Sequence, residues 1–348
     1  MSFMTPQELK QKLDEGQKIF VLDVREPLEY EEWHIPGSVN IPLSSVYAGA
    51  ELPKDRKIIA VCLHGMRSER AKQILSMQGY DISSMRGGMV AWNSVYDITE
   101  ISSGILQIRR VGKGCLSYMI TSDGEAAVID PTIDTDVYMQ AAGKNRIAAA
   151  IETHVHADHA SGGCILAERT GAAYYAPDDG QTTKHQTVSY GTAIRVGDAE
   201  IRAVHTPGHT PGSMTYLLGE FAFTGDTLFI ESVGRPDLGQ DAEENAGILW
   251  ETLQKRILVL PDTTKILPAH YGSEIKHGLL ISAALGELKR SLAALSMQKQ
   301  KFIRWVAGNV QPKPSNFEAI KEFNKGLAEL EDEELRELEA GPNRCAVR

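Results

Sequence analysis

Residues 18–24 (KIFVLDV) and 57–63 (KIIAVCL) are short apolar runs with few polar positions, the pattern of buried parallel strands. Residues 68–77 follow a helical rhythm instead, with Ala71, Ile74 and Leu75 on one face. Thr5-Pro6-Gln7-Glu8 reads as a capping box with proline at the first helical position, so a helix should begin there. These alternating elements predict a small α/β domain with a parallel sheet. After Trp92 the rhythm changes. Residues 105–109, 115–121 and 125–129 read as consecutive strands, and another, 147–153, follows a helical stretch. Residues 192–196 and 199–204 flank Gly197-Asp198, a hairpin turn signal. Helical segments are expected near 244–256 and 278–305. The change of pattern near residues 94–103 divides the chain into an expected domain over 1–98 and a second over 104–348. No low-complexity linker separates them, so they should abut. Residues 329–339 (ELEDEELRELE) carry Leu327, Leu330, Leu335 and Leu338 at near-helical spacing, which favours a solvated amphipathic helix over an acidic binding tail.

A length of 348 residues suffices for two domains with cores. The formal net charge of −10 argues against nucleic acid or an anionic membrane as partner, because both draw on basic surface. The longest apolar stretch, residues 278–286, is too short to span a bilayer and runs into Glu287, Lys289 and Arg290. The start, MSFMTPQELKQ, lacks the basic-then-apolar pattern of a secretory signal. Cys62, Cys115, Cys164 and Cys345 lie far apart with no CxxC pair, so neither a disulfide framework nor a zinc–thiolate site is expected, and a reducing cytoplasm is the expected location. Cys115 and Cys164, in a strand and a helical segment, read as small hydrophobes, and nothing near Cys345 in sequence activates it.

The richest chemistry lies in THVHADHASGG, residues 153–163. Four potential ligands, His154, His156, Asp158 and His159, fall within six residues directly after an apolar strand. Downstream stand HTPGHTPGS with His205 and His209, FTGDTLF with Asp226, and LPAHYG with His270. Isolated histidines such as His185 and His277 read as ordinary satisfied residues. For the cluster that reading fails, since burying the rings without a cation would cost about 1–3 kcal/mol per unsatisfied group. Imidazole plus carboxylate, without thiolate, suits zinc, iron or manganese.

This constellation resembles the metallo-β-lactamase superfamily, with its HxHxDH motif, PGH histidine, GD aspartate and late histidine. The resemblance runs from about residue 104 onward and implies an αββα sandwich. Two uses of the site are relevant. Glyoxalase II-like hydrolases hold two metals with all seven residues. Glutathione persulfide dioxygenases hold one ferrous iron, for which the resemblance implies His154, His209 and Asp226 as ligands, with His156, Asp158, His159 and His270 orienting groups around them. A trio of two histidines and one carboxylate leaves positions open for dioxygen and a substrate sulfur. Ser213, where glyoxalase II typically has histidine, favours the dioxygenase. So do GRPDL (residues 234–238), similar to the dioxygenases' GRTDF, and the ending GPNRCAV. Arg235 is a candidate anchor for a carboxylate of a glutathione-like substrate, the alternative being an ion pair with Asp237. Tyr271 is a further candidate contact.

The first domain resembles the rhodaneses, the sulfurtransferases, over about residues 1–97. It carries LDVREPLEYEEWHIPGSVNIP, the loop CLHGMRS (residues 62–68) and RGGMVAW. Trp33 departs from the family, where a glycine usually precedes HIPG, and is expected to alter a turn or the domain surface. A cysteine at a strand end facing a helix N-terminus sits where backbone N–H groups point at an anion. Those groups and Arg67 would favour the thiolate of Cys62, the nucleophile. Gly65 lets the loop curl around the sulfur, His64 is a candidate substrate contact, and Asp23 and Arg25 should brace the loop.

The joint expectation is a two-domain sulfur enzyme using one Fe(II) per chain. It would oxidise glutathione persulfide with O2 to sulfite and glutathione. Cys62 would carry sulfane sulfur as a persulfide between thiosulfate and glutathione, in a direction the sequence leaves open. Its partners are small thiols, persulfides, thiosulfate or sulfite, and a homo-oligomer is compatible with the sequence. The alternative is a dinuclear zinc thioester hydrolase with a rhodanese-like accessory domain.

Overall fold

The computed structural model describes residues 3–238, 241–271, 279–310 and 312–347. His277 lies outside them. The first body is a five-stranded sheet in the order Phe3–Met4, Ile82–Met85, Lys57–Val61, Ile19–Asp23, Val39–Asn40, with every pairing parallel. The expected capping box forms: Thr5 Oγ1 accepts from the Glu8 N–H at 3.2 Å, and Glu8 Oε2 accepts from the Thr5 N–H at 2.7 Å. It starts the helix Pro6–Asp14, which buries Leu9 against Val21, Ile59 and Met85. A leucine buried this fully contributes about 1.5–3 kcal/mol.

The second body is the expected αββα sandwich. Its larger sheet runs in the order Gln186–Val188, Ala173–Pro177, Arg146–Ile151, Glu125–Ile129, Cys115–Ser122, Ile105–Arg110, Tyr96–Ser102. The smaller runs Ala193–Val196, Ala199–His205, Met214–Leu218, Phe221–Gly225, Lys265–Pro268, Ala283–Ala284. Tyr118, Ile129 and Ile151 of one sheet pack on Ile201, Tyr216 and Phe223 of the other. The Tyr118 and Phe223 rings meet edge-on at 5.0 Å. Outer helices close both faces, with Tyr138 and Leu166 on one side and Leu249, Phe302 and Val306 on the other. Among the described residues no helix is long and apolar enough to cross a membrane.

Three expectations differ from this fold. Most of the stretch 94–103, near which the domains were expected to part, is the strand Tyr96–Ser102, which pairs with Ile105–Arg110 in the larger sheet. Residues 279–305 do not form one helical segment. Ala283–Ala284 pairs with Lys265 and Ile266 as an edge strand, the helix Leu285–Ser291 stops at Leu292 in extended backbone, and Lys299–Gly308 begins anew. Local helical spacing could not register the sheet edge that captures the two alanines. Finally, the acidic run forms the helix Asp332–Leu338, but it does not end in solvent. Glu339 is fully buried, where it pairs with Arg110 and accepts the Ala160 N–H at 3.0 Å.

That pair joins the sequence's most acidic segment to the larger sheet. Burial opposes the charged form of Glu339, yet Arg110 and Lys113 hold its carboxyl below the ordinary glutamate range. Its contribution is therefore complete above the unfolded glutamate pKa and lost as pH falls through the lower folded one. Glu339→Ala leaves Arg110 buried without its carboxylate and is expected to cost about 3–5 kcal/mol in urea unfolding at neutral pH. A change below about 0.5 kcal/mol, the range of an exposed substitution, would contradict this account.

Several contacts join the two bodies. Trp33 Nε1 donates to Gly112 O, so the departure at this position makes an inter-body bond. Arg344 Nη2 reaches Glu32 Oε1 at 3.2 Å, and exposed His64 lies 3.9 Å from Glu337.

Candidate functional site

Every expected ligand sits just past a strand of the sandwich. Residues 154–159 follow Arg146–Ile151, His209 lies in the turn after Ala199–His205, Asp226 directly follows Phe221–Gly225, and His270 follows Lys265–Pro268. All seven converge and are at most 1% exposed.

Hydrogen bonds fix which ring atoms face the centre. Thr153 Oγ1 donates to Asp130 Oδ2 at 2.9 Å, so it can only accept from His154 Nδ1–H at 2.8 Å, leaving His154 Nε2 as a bare lone pair. His209 Nδ1–H donates to Arg235 O at 2.8 Å, which does the same for His209 Nε2. Asp226 Oδ1 accepts from His270 Nδ1–H at 2.7 Å. Its Oδ2 lies 3.6 Å from His154 Nε2 and 3.4 Å from His209 Nε2. Three acceptor atoms thus face one another, and none has a hydrogen-bond partner. Burial holds His154 and His209 below the ordinary histidine range, so protons on the rings do not resolve the conflict. Burial opposes the Asp226 anion, but His270 and His154 keep it ionised. A cation satisfies all three atoms, and the donor set fits one.

The other half of the cluster is paired only in part: His159 Nε2 has no hydrogen-bond partner, and His270 Nε2 faces a carboxylate without a directed bond. Asp158 Oδ2 is 2.9 Å from His270 Nε2, and Asp158 Oδ1 is 3.1 Å from His159 Nδ1. His156 Nε2 faces Glu152 at 3.1 Å and Asp130 at 3.3 Å, while its Nδ1 is left without a partner. Asp130 holds φ +51°, a strained conformation, while accepting both the N–H and the hydroxyl of Thr153.

Sequence reading missed several parts of this site. Cys115 is no filler: its Sγ lies 3.7 Å from Asp158 Oδ2, grouped with His159 and His270. Burial raises its pKa, but His159 and His270 bring the thiol down to about 7. Cys345 is likewise buried, beside Asp226 and His270. Asn324 was also missed, although its Nδ2 donates to both His156 O and His159 O at 2.8 Å while its Oδ1 accepts from Ser161 N–H at 2.8 Å. No local pattern marks these residues, because their partners lie far away in sequence.

Arg235 does not present a free edge to substrate. Its guanidinium grips Asp237 at 2.7 and 2.8 Å and donates to Arg344 O at 2.9 Å, so the ion-pair alternative is what forms. Tyr271 lines a cavity of about 280 Å³ with His270 and Phe229, which places it at an approach to the centre. Ser213 Oγ accepts from Thr210 N–H at 3.1 Å and braces the turn carrying His209. His205 lies outside the cluster and bonds Pro211 O. His185 bonds Thr183 O at 2.7 Å, as an ordinary satisfied histidine.

The cysteine loop lies in the first body. Cys62 follows Lys57–Val61, and its sulfur accepts from Gly65 N–H at 3.1 Å and Ser68 N–H at 3.4 Å, at the start of the helix Met66–Met77. Gly65 takes φ +101°, which a side chain would strain. Gly88 presses on the same loop, and a Cβ there would lie 2.2 Å from Cys62 O. Arg67 does not bond the sulfur: it pairs bidentately with Glu29 at 2.7 Å, so the donors at Sγ are backbone groups. Asp23 and Arg25 form a buried ion pair, and Arg25 also donates to Trp33 O.

A rhodanese-like domain model matches residues 5–95, and a metallo-β-lactamase superfamily model matches residues 110–198 and 186–270. The mitochondrial persulfide dioxygenase ETHE1 of Homo sapiens is 32% identical over 212 residues, covering 56% of this chain and 76% of that protein. A hydroxyacylglutathione hydrolase of Maricaulis maris is 34% identical over 189 residues, covering 48% of this chain and 70% of that protein. The crystal structure of ETHE1 from Myxococcus xanthus superimposes with a TM-score of 0.57 at 27% identity, covering 68% of this chain and all of that one.

Proposed function

The chain belongs to the metallo-β-lactamase superfamily, with a rhodanese-like domain ahead of that fold, and from this premise we propose that it is a sulfur-metabolising enzyme with two active sites. The second body oxidises glutathione persulfide: GSSH + O2 + H2O gives GSH + SO3²⁻ + 2 H⁺. His154, His209 and Asp226 would hold one ferrous ion, which would supply the redox chemistry that lets dioxygen react with sulfur. The chain's own part is to set that site. Arg235 O and Thr153 fix the ring tautomers, and His270 holds Asp226 in place through its Oδ1. The first body transfers sulfane sulfur through Cys62. Thiosulfate gives its outer sulfur to the Cys62 thiolate, forming Cys62–S–S⁻ and releasing sulfite. The Gly65 and Ser68 N–H groups, which already point at Sγ, stabilise the anion before and after transfer.

One observation carries the metal site: His154 Nε2, His209 Nε2 and Asp226 Oδ2 face one another without partners. His159 Nε2 and His270 Nε2 are unpartnered as well, and the likeness to the persulfide dioxygenases is what favours one ion over two. The alternative, a dinuclear zinc thioester hydrolase, draws on the presence of all seven ligand residues and on the hydrolase relative. Metal analysis of protein purified without added metal decides between them. About one iron per chain and dioxygen uptake with glutathione persulfide are expected. About two zinc ions per chain, with cleavage of S-lactoylglutathione, would overturn the proposal.

A further inference from the structure

Neighbours of both active sites line a common space. A cavity of about 470 Å³ lies between the bodies, within the range of roughly 300–1,000 Å³ usual for small-molecule sites. On one side it is lined by Leu63, which adjoins Cys62, and by Glu29, which clamps Arg67. On the other it is lined by Asp158 of the metal motif. Asp158 is only 1% exposed, so the chamber meets the metal motif at its edge. The Arg344–Glu32 ion pair and the Trp33–Gly112 bond tie the bodies together around it.

Neither function assigned to the separate bodies uses this space. The lining is mixed in charge, with Arg25, Lys113 and Arg344 set among Glu29, Glu32 and Glu337. Such a surface suits a molecule carrying both carboxylates and an ammonium better than an inorganic dianion such as thiosulfate. We propose that this chamber binds a zwitterionic peptide thiol of glutathione's class and passes it between Cys62 and the metal centre without release to solvent. The proposal rests on the functional reading above. In the transfer, the carrier thiolate attacks the outer sulfur of the Cys62 persulfide: RS⁻ + Cys62–S–SH gives RS–SH + Cys62–S⁻. One S–S bond breaks and one forms, with no net oxidation. The loaded carrier then needs only to reach the Asp158 end of the same chamber.

Two measurements test this on the metal-loaded full chain. S-methylglutathione, which cannot take up sulfur, should bind saturably, and Ala340→Trp, which fills the chamber, should weaken it by roughly tenfold or more. Ser315→Trp, on the exposed rim, is the second variant should the first not fold. No binding by the wild type, tighter binding of thiosulfate than of S-methylglutathione, or unchanged affinity in the folded variants overturns the chamber. Transfer is tested with thiosulfate plus glutathione. The wild type should consume dioxygen roughly tenfold faster than a mixture of Cys62→Ser and Asp226→Ala chains, each at the wild type's concentration, which holds the same number of each site but no chain with both. Equal rates mean exchange through bulk solution and refute the transfer. If the mixture lacks either half-reaction, the functional reading fails, and the S-methylglutathione titration still decides the chamber.

Discussion

Asp226→Ala is expected to abolish dioxygen uptake with glutathione persulfide and to empty the metal centre. Asp226 Oδ2 is the carboxylate oxygen facing both His154 Nε2 and His209 Nε2, at 3.6 and 3.4 Å. Without it, two neutral imidazoles remain, and no anion offsets the charge of a divalent ion. Removing a residue that merely orients a ligand typically costs 10–100-fold in metal affinity, so losing this ligand should cost more than about 100-fold. The substitution also strips His270 Nδ1–H of its acceptor, a cost of about 1–3 kcal/mol. Asp226→Asn keeps an acceptor for that bond while removing the charge, and so separates metal loss from destabilisation. Metal content after dialysis and oxygen-electrode traces report the two effects. Full turnover by a metal-replete Asp226→Ala chain would eliminate the assigned trio.

Cys62→Ser should lower thiosulfate sulfurtransfer to background, a loss of at least about 10³-fold, as for removal of a covalent nucleophile. A serine oxygen can occupy the loop and accept from Gly65 and Ser68, but it cannot hold a sulfane sulfur. The Cys62 loop and the metal ligands lie in different bodies, so dioxygen uptake with supplied persulfide should persist. Thiocyanate formation from thiosulfate and cyanide reads the first activity, and dioxygen consumption reads the second. Joint loss of both would place Cys62 in the metal site's chemistry and reject a separate sulfur-transfer role.

Chemistry was more legible in the sequence than its surroundings. The spacing HxHxDH sits beyond one strand, and residues clustered in sequence there are clustered in space. The Cys62 loop was legible for the same reason, since its N–H donors come from three and six residues away. Cys115 was misread because its neighbours at the centre arrive from other strands and loops. The Arg67–Glu29 pairing was not legible because Glu29 lies 38 residues earlier. The acidic helix looked solvated because its charges do face water, and only Glu339, one residue past its last turn, turns inward.

Asn324 and Glu339 grip the backbone of the histidine loop from more than 160 residues away. Closing loops of that length is an entropic cost met late in folding, after the local contacts have formed. The loop's final shape therefore waits on docking of the helices Phe317–Asn324 and Asp332–Leu338. Metal capture is thereby coupled to that docking, since the ligand loop is held in shape only with both helices in place.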